Sequence, residues 1–259
     1  MSQPELKSKG LIWDLENSAY IVDVWQLWQA NAIHVREYPQ ILTIAWQWVG
    51  SNSVFVKGQD DFPDYVPGKL NDHSLVAYFR DILSACDYAV AHNGDGHDVP
   101  VFNARRALNG LTAPTPYIQV DTKKIYKRFG KFGSNSLDSL STQFDKSRKG
   151  DPGGYETWLG CREGNPKAWK KMKHYNKQDI PPLLDLFLQS KSWDKHGLPL
   201  NVMEDRPDGC PVCLSDRVEA NNKYKSTRSN IYRYFTCLDC GKTDIRSRSP
   251  EKREKPRYV

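Results

Sequence analysis

The sequence predicts an α/β domain followed by a small cysteine-rich module. Apolar runs of strand length alternate with amphipathic helical patterns between residues 10 and 191, as in a layered α/β domain. Two CxxC pairs follow nearer the C-terminal end. The chain of 259 residues, with a hydrophobic fraction of 39% and eight tryptophans, is long enough for one sizeable core and a small second domain.

The predicted elements begin with antiparallel strands. Apolar runs at Gly10–Ser18 and Ile41–Val49 predict two strands, and the run SVFVKG from Ser53 predicts a hairpin partner for the second. Apolar residues then recur with helical spacing from His73 to Asp87. The next predicted elements, in chain order, are a strand at YAVAHN, a helix at VPVFNARRALNG, a strand at TPYIQVDT, and short helices at Asp121–Phe129 and Ser136–Phe144. This order predicts a mixed sheet covered by helices.

The last part of this domain has a strong helical pattern with an interruption. The pattern runs from Pro166 to Asp179, and Pro181 and Pro182 follow. Proline lacks a backbone donor and disfavours helical geometry in the residue before it. We therefore expect a kink or a new helix start near Ile180.

Charge and hydropathy limit the classes of partner. The net charge is +6, and Lys and Arg cluster at 123–149, 167–177 and 242–257, which favours a polyanionic partner. The loop Lys146–Gly154 is rich in Gly and Lys and is long enough to border a substrate groove. No apolar run reaches the roughly 20 residues of a membrane span, and the N-terminus lacks the apolar stretch of a signal peptide. We expect a soluble cytoplasmic protein with no membrane partner.

Four acidic residues stand at positions where they can converge. Asp14 and Glu16 are two apart on an apolar strand, so both project from the same face, about 6 to 7 Å apart along the backbone. Two such acids are costly unless a metal ion or a buried Lys or Arg neutralises them. Asp98 begins a helix after a strand and a tight turn, and Asp179 stands on a helix one turn after Tyr175. The strand and the two helices can bring all four acids to one side of the sheet.

Three segments resemble the motifs of a known family. WDLENS resembles the first motif, DxE, of the DEDD superfamily of RNase H-like 3'-5' exonucleases. AHNGDGHD resembles the second motif, a His-Asn pair with Asp five residues after the Asn, and YNKQD resembles the third, YxxxD. The resemblance covers about Gly10 to Lys191. It implies an RNase H-like mixed sheet flanked by helices, and two Mg²⁺ or Mn²⁺ ions that assist phosphodiester hydrolysis at the 3' end. The implied ligands of these ions are Asp14, Glu16, Asp98 and Asp179, with Asp14 as the residue that bridges both.

The third motif can be interpreted in two ways. The other branch of the superfamily uses HxxxxD, and His174 stands five residues before Asp179. On a continuous helix Tyr175 lies within about 40° of Asp179 and His174 lies about 140° away, because a turn contains about 3.6 residues. We choose Tyr175 as the residue that orients or helps deprotonate the attacking water, and His174 is the alternative general base.

Residues beside the motifs are assigned to substrate binding. Asn93 is expected to support the turn of the second motif or to touch substrate. Asn17 and Ser18 follow the first motif, where the family has Thr or Ser directly after the Glu, so Asn17 is a departure from the pattern. His97 stands where an aromatic residue is common, and we interpret it as a half-buried ring.

Four cysteines predict a structural zinc site. The two CxxC segments GCPVC and TCLDCGK, here called knuckles, have zinc-ribbon spacing. A segment this small needs a bound metal ion to fold. The predicted zinc ligands of the knuckles are Cys210, Cys213, Cys237 and Cys240. The intervening RYFT stretch predicts a hairpin strand. Structural zinc is the default role, and a grip on nucleic acid is the alternative, because cationic and aromatic groups are mixed there. The residues concerned are Lys223, Lys225, Arg228, Arg233 and the neighbouring tyrosines.

We therefore expect three parts. These are an RNase H-like 3'-5' exonuclease domain at 8–198, a zinc ribbon at 205–245 and a disordered basic tail at 246–259. The two remaining cysteines, Cys86 and Cys161, have no CxxC partner and are expected to be small buried residues.

Three functions remain open at the level of sequence. The first is an exonuclease, with DNA preferred to RNA as substrate; the second is an RNase H-like endonuclease or resolvase that uses the same acids. The third is a zinc-ribbon nucleic-acid-binding protein without catalysis. A replication or repair protein is the expected partner, since any proofreading would have to act in trans. A bacterial cell or a phage-infected host is the expected setting, and the sequence leaves the oligomeric state open.

Overall fold

Strand β1 (Gly10–Asn17) is the central strand of the five-stranded sheet in the computed structural model. The structure describes residues 7–28, 31–146, 154–194, 197–228 and 231–246. Most of the predicted groove-bordering loop, 147–153, and the predicted tail beyond 246 lie outside these ranges.

The chain divides into two units, Met1–Ser190 and Lys191–Val259. The further strands of the first unit are β2 (Ile21–Asp23), β3 (His34–Glu37), β4 (Ile41–Trp48), β5 (Val54–Gly58), β6 (Tyr88–Ala91) and β7 (Ile118–Asp121). Its helices are α1 (His73–Ser84), α2 (Asp98–Leu108), α3 (Thr122–Phe129), α4 (Leu137–Gln143), α5 (Glu156–Arg162), α6 (Pro166–Gln178) and α7 (Ile180–Ser190). No helix in the described part of the chain combines the length and the hydrophobicity of a membrane span.

The sheet of the first unit is mixed, in the strand order β5-β4-β1-β6-β7. Strands β1, β4 and β5 pair antiparallel, whereas β6 runs parallel to β1, and β7 runs parallel to β6. The predicted antiparallel start and the predicted α/β layers are therefore confirmed. Because β1 and β6 are parallel neighbours, the C-terminal ends of both strands lie at the same edge of the sheet.

Alternation along β1 separates the core from the acids. Trp13 is fully buried, and its ring lies 5.2 Å from Phe79 of α1 and 6.2 Å from Phe102 of α2, between ring centroids. Consecutive side chains of a strand point to opposite faces, so Asp14 points away from this aromatic cluster. Packing of the helices α1 and α2 on one face thus leaves the other face of β1 for the acids.

The predicted interruption near Ile180 is confirmed. Helix α6 ends at Gln178, Asp179 is its C-cap, and α7 begins at Ile180. The two prolines occupy the first turn of α7, where a missing N–H costs no helical hydrogen bond. The break therefore places the Asp179 carboxylate at a junction between two helices.

Helix α2 is tied to the sheet by a buried ion pair. The Asp72 carboxylate is fully buried and accepts hydrogen bonds from Arg105 of α2 at 2.6 and 2.8 Å. It also accepts from the side chain of Asn109 at 2.8 Å and from the backbone N–H of Ile41 at 3.0 Å. This network fixes the C-terminal half of α2 against β4, and the N-terminus of the same helix carries Asp98.

The second unit contains a three-stranded sheet beside a short helix. Its elements are α8 (Leu200–Met203), β8 (Val218–Ser226), β9 (Ile231–Cys237) and β10 (Thr243–Arg246), and the sheet order is β10-β9-β8 with antiparallel pairs. The strand predicted at RYFT is confirmed as part of β9. The predicted domain limits at 198, 205 and 245 stay predictions.

Cys86 and Cys161 are both buried, as the sequence predicts. Burial raises the pKa of each thiol to about 12, so both are protonated at neutral pH.

A candidate carboxylate metal centre and a cysteine cluster

Three of the four predicted acids meet in the first unit. Asp14 and Glu16 lie on the C-terminal half of β1, and Asp179 lies at the α6–α7 junction. One carboxylate oxygen from each of the three lies within 4.8 Å of the others. The convergence predicted for these three side chains is thus present in the structure.

The donor set of this cluster suits a hard divalent cation. Asp179 is only 1% exposed, and Asp14 and Glu16 are partly buried. Three carboxylates at this separation repel one another, and burial adds to the cost of their charges. Mg²⁺ and Mn²⁺ prefer oxygen ligands and would offset both costs. The residues therefore fit such an ion.

Asp98 lies directly beside the cluster, at the first position of α2. Its Oδ1 accepts a hydrogen bond of 3.3 Å from the backbone N–H of Leu15, which stands between Asp14 and Glu16 in β1. The side chain is 3% exposed, and this burial raises the pKa of the Asp98 carboxyl to about 6, with the negative charge of Asp121 adding to the rise. A nearby cation would favour the ionised form. Asp98 is outside the group of three but borders the same edge of the sheet.

The loop between β6 and α2 is held by a second buried acid, Asp121. Its carboxylate accepts from the backbone N–H of Asn93 at 3.0 Å and from that of Asp95 at 3.3 Å. Asn93 has a positive φ of 68°, a conformation that Asn tolerates better than most residues. A Cβ at Gly94 would lie 2.6 Å from the Cβ of Ala91, so glycine is required there. These contacts explain why AHNGDG forms a tight turn, and they give Asn93 a structural part in it.

The two candidates of the third motif have different surroundings. Tyr175 is 5% exposed and packs in an apolar cluster with Trp169 and Met172, with its ring centroid 6.1 Å from that of Trp158. His174 is exposed. The burial of Tyr175 on the inward face of α6 agrees with the helical geometry on which Tyr175 was preferred to His174.

The residues beside the motifs mostly make local contacts. Ser18 is 3% exposed, and its hydroxyl accepts from the backbone N–H of Gln40 at 3.0 Å. The Asn17 side chain donates to the Ser18 carbonyl at 2.9 Å. His97 is exposed, whereas a half-buried ring was expected. A role of Asn17, Ser18 or Asn93 in binding substrate stays a prediction.

Asn176 contacts the cluster and was not identified from the sequence. Its side-chain N–H₂ donates to Asp14 Oδ2 at 2.8 Å, and its carbonyl oxygen accepts from the Thr43 hydroxyl at 3.0 Å. Asn176 is fully buried, so the amide has a fixed orientation. A signal was present, because a neutral amide three residues before Asp179 lies on the same helical face. Asn176 therefore holds the orientation of the Asp14 carboxylate.

Replacing Asn176 with alanine is expected to weaken divalent-ion binding about 10- to 100-fold, as is common when a partner of a metal ligand is lost. The measurement is the Mg²⁺ or Mn²⁺ concentration that gives half of the maximal rise in melting temperature. Thr43→Val is the matched control, because it removes the other hydrogen bond of the same amide. If the two variants shift the half-saturating concentration equally, the amide has only a structural role.

The second unit brings the four CxxC cysteines together. All four sulfur atoms lie within 4.8 Å of one another, and the distance is 3.6 Å for the pairs Cys210–Cys240 and Cys213–Cys237. Ligands of a tetrahedral zinc ion with Zn–S bonds of about 2.3 Å are about 3.8 Å apart. The cluster therefore fits one Zn²⁺ ion.

Both knuckles of this cluster are built alike. A residue with positive φ stands four positions after the first cysteine of each knuckle, Leu214 at 62° and Gly241 at 70°. Each of these residues donates its N–H to the carbonyl of that cysteine, at 3.1 Å to Cys210 and at 3.0 Å to Cys237. Burial acts to raise the pKa of the Cys237 thiol, but backbone N–H groups, together with hydrogen bonds from the Cys213 and Cys210 side chains, outweigh it and lower the pKa to about 7. Such turns aim N–H groups at the sulfur and favour the thiolate that zinc requires.

The hypothesis that this unit grips nucleic acid has some local support. Tyr224 is 59% exposed, and the guanidinium carbon of Arg233 lies 5.9 Å from the centre of its ring. Cationic and stacking groups are thus adjacent on the β8–β9 hairpin. This role stays a prediction.

Comparison with solved structures gives a protein with a similar fold. The chain is similar to the family B DNA polymerase from the hyperthermophilic archaeon Pyrobaculum calidifontis, with 18% sequence identity and a TM-score of 0.52. The similarity covers 78% of this chain and 27% of the polymerase chain, so the chain spans little more than a quarter of that protein. A comparison with curated proteins gives no match.

The family comparison covers part of the candidate site. A model of the RNase_H superfamily matches residues 40–189, a range that includes Asp98, Asn176 and Asp179 and begins after the strand with Asp14 and Glu16. The matched residues make up more than half of the chain. The chain belongs to the RNase_H superfamily.

Proposed function

We propose that the protein is a metal-dependent 3'-5' exonuclease that hydrolyses phosphodiester bonds of DNA, with RNA as the second candidate substrate. The observation that carries this proposal is the meeting of Asp14, Glu16 and Asp179. Asp98 lies beside them and accepts a hydrogen bond from the backbone N–H of Leu15, the residue between Asp14 and Glu16. These acids come from three distant segments that each resemble a motif of the DEDD exonucleases. The polarity of digestion follows from that resemblance, and membership of the RNase_H superfamily supports the nuclease chemistry.

The four acids are the proposed ligands of two divalent ions. When bound, such ions provide a nucleophile from water near neutral pH and neutralise charge on the attacking and leaving oxygens. Asp14 is the proposed bridging ligand, and the Asn176 amide at 2.8 Å limits the rotation of its carboxylate. A carboxylate held in one orientation loses less entropy when it binds an ion.

Tyr175 is the proposed group that orients the attacking water. Its ring packs in an apolar cluster with Trp169 and Met172 and lies beside the ring of Trp158, and this packing limits the movement of the side chain. In this mechanism His174, which is exposed, does not act as the general base. The Tyr175 hydroxyl would accept a hydrogen bond from the attacking water. This contact would direct a lone pair of the water oxygen towards the phosphorus of the phosphodiester.

The remaining assignments concern domains and partners. The catalytic domain is proposed at 8–198 and the zinc ribbon at 205–245, with one structural zinc ion bound by the four cysteines. The structurally similar protein is by name a DNA polymerase, which makes DNA the first substrate to test. A replication or repair protein in the cytoplasm is the proposed partner.

End-labelled substrates test the proposal directly. With Mg²⁺ or Mn²⁺, 5'-labelled single-stranded DNA should give a ladder of products that shorten from the 3' end, and 3'-labelled DNA should release labelled mononucleotide from the start. Circular single-stranded DNA, which has no end, should stay intact. RNA substrates are run in parallel.

Two other outcomes would overturn the assignment. Linearisation of the circular strand would establish the endonuclease alternative. A mobility shift of the labelled strands without any hydrolysis, in either ion, would leave a nucleic-acid-binding protein.

A further inference from the structure

An exposed aromatic hairpin connects the neighbouring strands β1 and β4 and begins immediately after the first motif. We define the aromatic hairpin as the described residues 19–28 and 31–39, which include the two-stranded ribbon β2–β3. Its tip carries three large apolar side chains that are almost completely exposed: Trp25 at 86%, Leu27 at 87% and Trp28 at 83%. Exposed apolar groups of this size on one loop mark a site that contacts another molecule.

The aromatic hairpin begins at the candidate metal centre. The backbone N–H of Ser18 donates to the Gln40 carbonyl at 2.8 Å and closes the base of the hairpin two residues after Glu16. Just beyond this base, the rings of Tyr20 and Tyr38 meet edge to face, with centroids 6.0 Å apart, and both are more than half exposed. Aromatic rings therefore occur both next to the carboxylate edge and at the tip.

The charges of the aromatic hairpin do not oppose a phosphate backbone. The sequence 19–39 contains two acids, Asp23 and Glu37. Asp23 accepts a hydrogen bond of 2.9 Å from Arg36, which lowers the pKa of its carboxyl, and Glu37 forms an ion pair with Arg162. Each negative charge is thus compensated by a guanidinium.

We propose that the aromatic hairpin is the platform on which unpaired bases of the substrate strand stack, with Trp25 and Trp28 as the stacking groups. The proposal rests on the proposed function, because it takes the strand end to lie at Asp14 and Glu16. Bases have apolar faces and a charged backbone, a combination that suits exposed indoles next to neutralised acids. The aromatic hairpin follows directly on the sheet edge that carries Asp14 and Glu16. This continuity favours a nucleic-acid strand over a protein as the occupant.

The test compares the double variant Trp25→Ala/Trp28→Ala with Leu27→Ala. Leu27 is equally exposed on the same loop but has no ring, so it separates stacking from general apolar contact. The probes are fluorescein-labelled oligo(dT) and oligo(U) of about 12 nucleotides, and their trinucleotides, bound in the presence of Ca²⁺. Loss of one stacked base weakens binding about 5- to 100-fold.

We expect the double variant to lose at least about tenfold in affinity for the longer strands and much less for the trinucleotides, with Leu27→Ala close to wild type. All three proteins should melt at nearly the same temperature, since the side chains are exposed. Equal affinity of wild type and double variant for the long strands overturns the inference. So does an equal loss in Leu27→Ala, which indicates an apolar docking surface for a protein.

Two further outcomes separate this inference from the proposed function. A wild type that binds strands through the tryptophans but hydrolyses nothing contradicts the nuclease proposal and supports the platform. If the wild type digests strands from the 3' end and the double variant binds them with unchanged affinity, the nuclease proposal is supported and the stacking platform is contradicted. A dimer in sedimentation that becomes a monomer in the double variant, with unchanged strand affinity, also overturns the inference and identifies a second copy of the chain as the occupant.

Discussion

Replacing Asp14 with asparagine is expected to lower hydrolysis of a 3' end by about 10³-fold or more, equivalent to about 4 kcal/mol of transition-state stabilisation. The reason is geometric, because Asp14 shares a cluster of oxygens within 4.8 Å with Glu16 and Asp179 and is the proposed bridging ligand. Asparagine has the same shape but removes one negative charge. The measurement is the single-turnover rate in saturating Mg²⁺ or Mn²⁺.

Melting temperatures show whether Asp14→Asn loses hydrolysis because it no longer binds the ion or because its fold is damaged. Without divalent ions, Asp14→Asn should melt at or above the temperature of the wild type, because one of three mutually repelling carboxylates is neutralised. Added Mn²⁺ should raise the melting temperature of the wild type but not that of the variant. Asp81→Ala, which removes an exposed carboxylate on α1, is the control and should behave as wild type. Full activity in Asp14→Asn would contradict the proposed mechanism.

Replacing Cys237 with serine is expected to abolish zinc binding and to unfold the second unit. Structural zinc sites of this type contribute on the order of 10 kcal/mol or more to folding. The described residues of this unit supply a small apolar cluster, in which Val212 and Val218 pack against the cysteines themselves. Loss of the ion therefore removes the main attachment between the two knuckles.

Zinc content and circular dichroism check this prediction. Wild type should carry one zinc ion per chain by mass spectrometry of the metal, and Cys237→Ser should carry none and lose strand signal. Cys86→Ala is the control, because Cys86 is buried in the first unit and should leave the zinc content unchanged. A chelator should reproduce the effect, since Cys213 is exposed and Cys240 is partly exposed. Zinc retained by Cys237→Ser would refute the ligand assignment.

Long regular patterns of the first unit could be predicted from the sequence. Strands β1 and β4 are nearly continuous apolar runs, and α1 repeats apolar residues with helical spacing, so local chemistry determined their type. The break before α7 was predictable from two prolines. The meeting of Asp14, Glu16 and Asp179 was predictable because the first two share one face of β1 and the third stands at the end of a strongly patterned helix.

Elements stabilised mainly by tertiary context were missed. The ribbon β2–β3 is short and largely exposed, so no buried face imposes a period of two on its sequence. Strand β8, VEANNKYKS, is almost entirely polar and depends on pairing with β9. Asn176 was missed for a related reason, because the value of a buried amide depends on partners that lie more than 130 positions away in the chain.

Trp13 and Asp14 are consecutive residues of β1. The Trp13 side chain packs between α1 and α2, whereas the Asp14 carboxylate belongs to the cluster that is proposed to bind the ions. A smaller residue at position 13 would let the central strand shift, and the oxygens next to it would move by a similar amount. We therefore expect the heat tolerance of this protein and its affinity for the proposed ions to change together. Adaptation to a new growth temperature through the aromatic interior would retune its response to divalent ions at the same time.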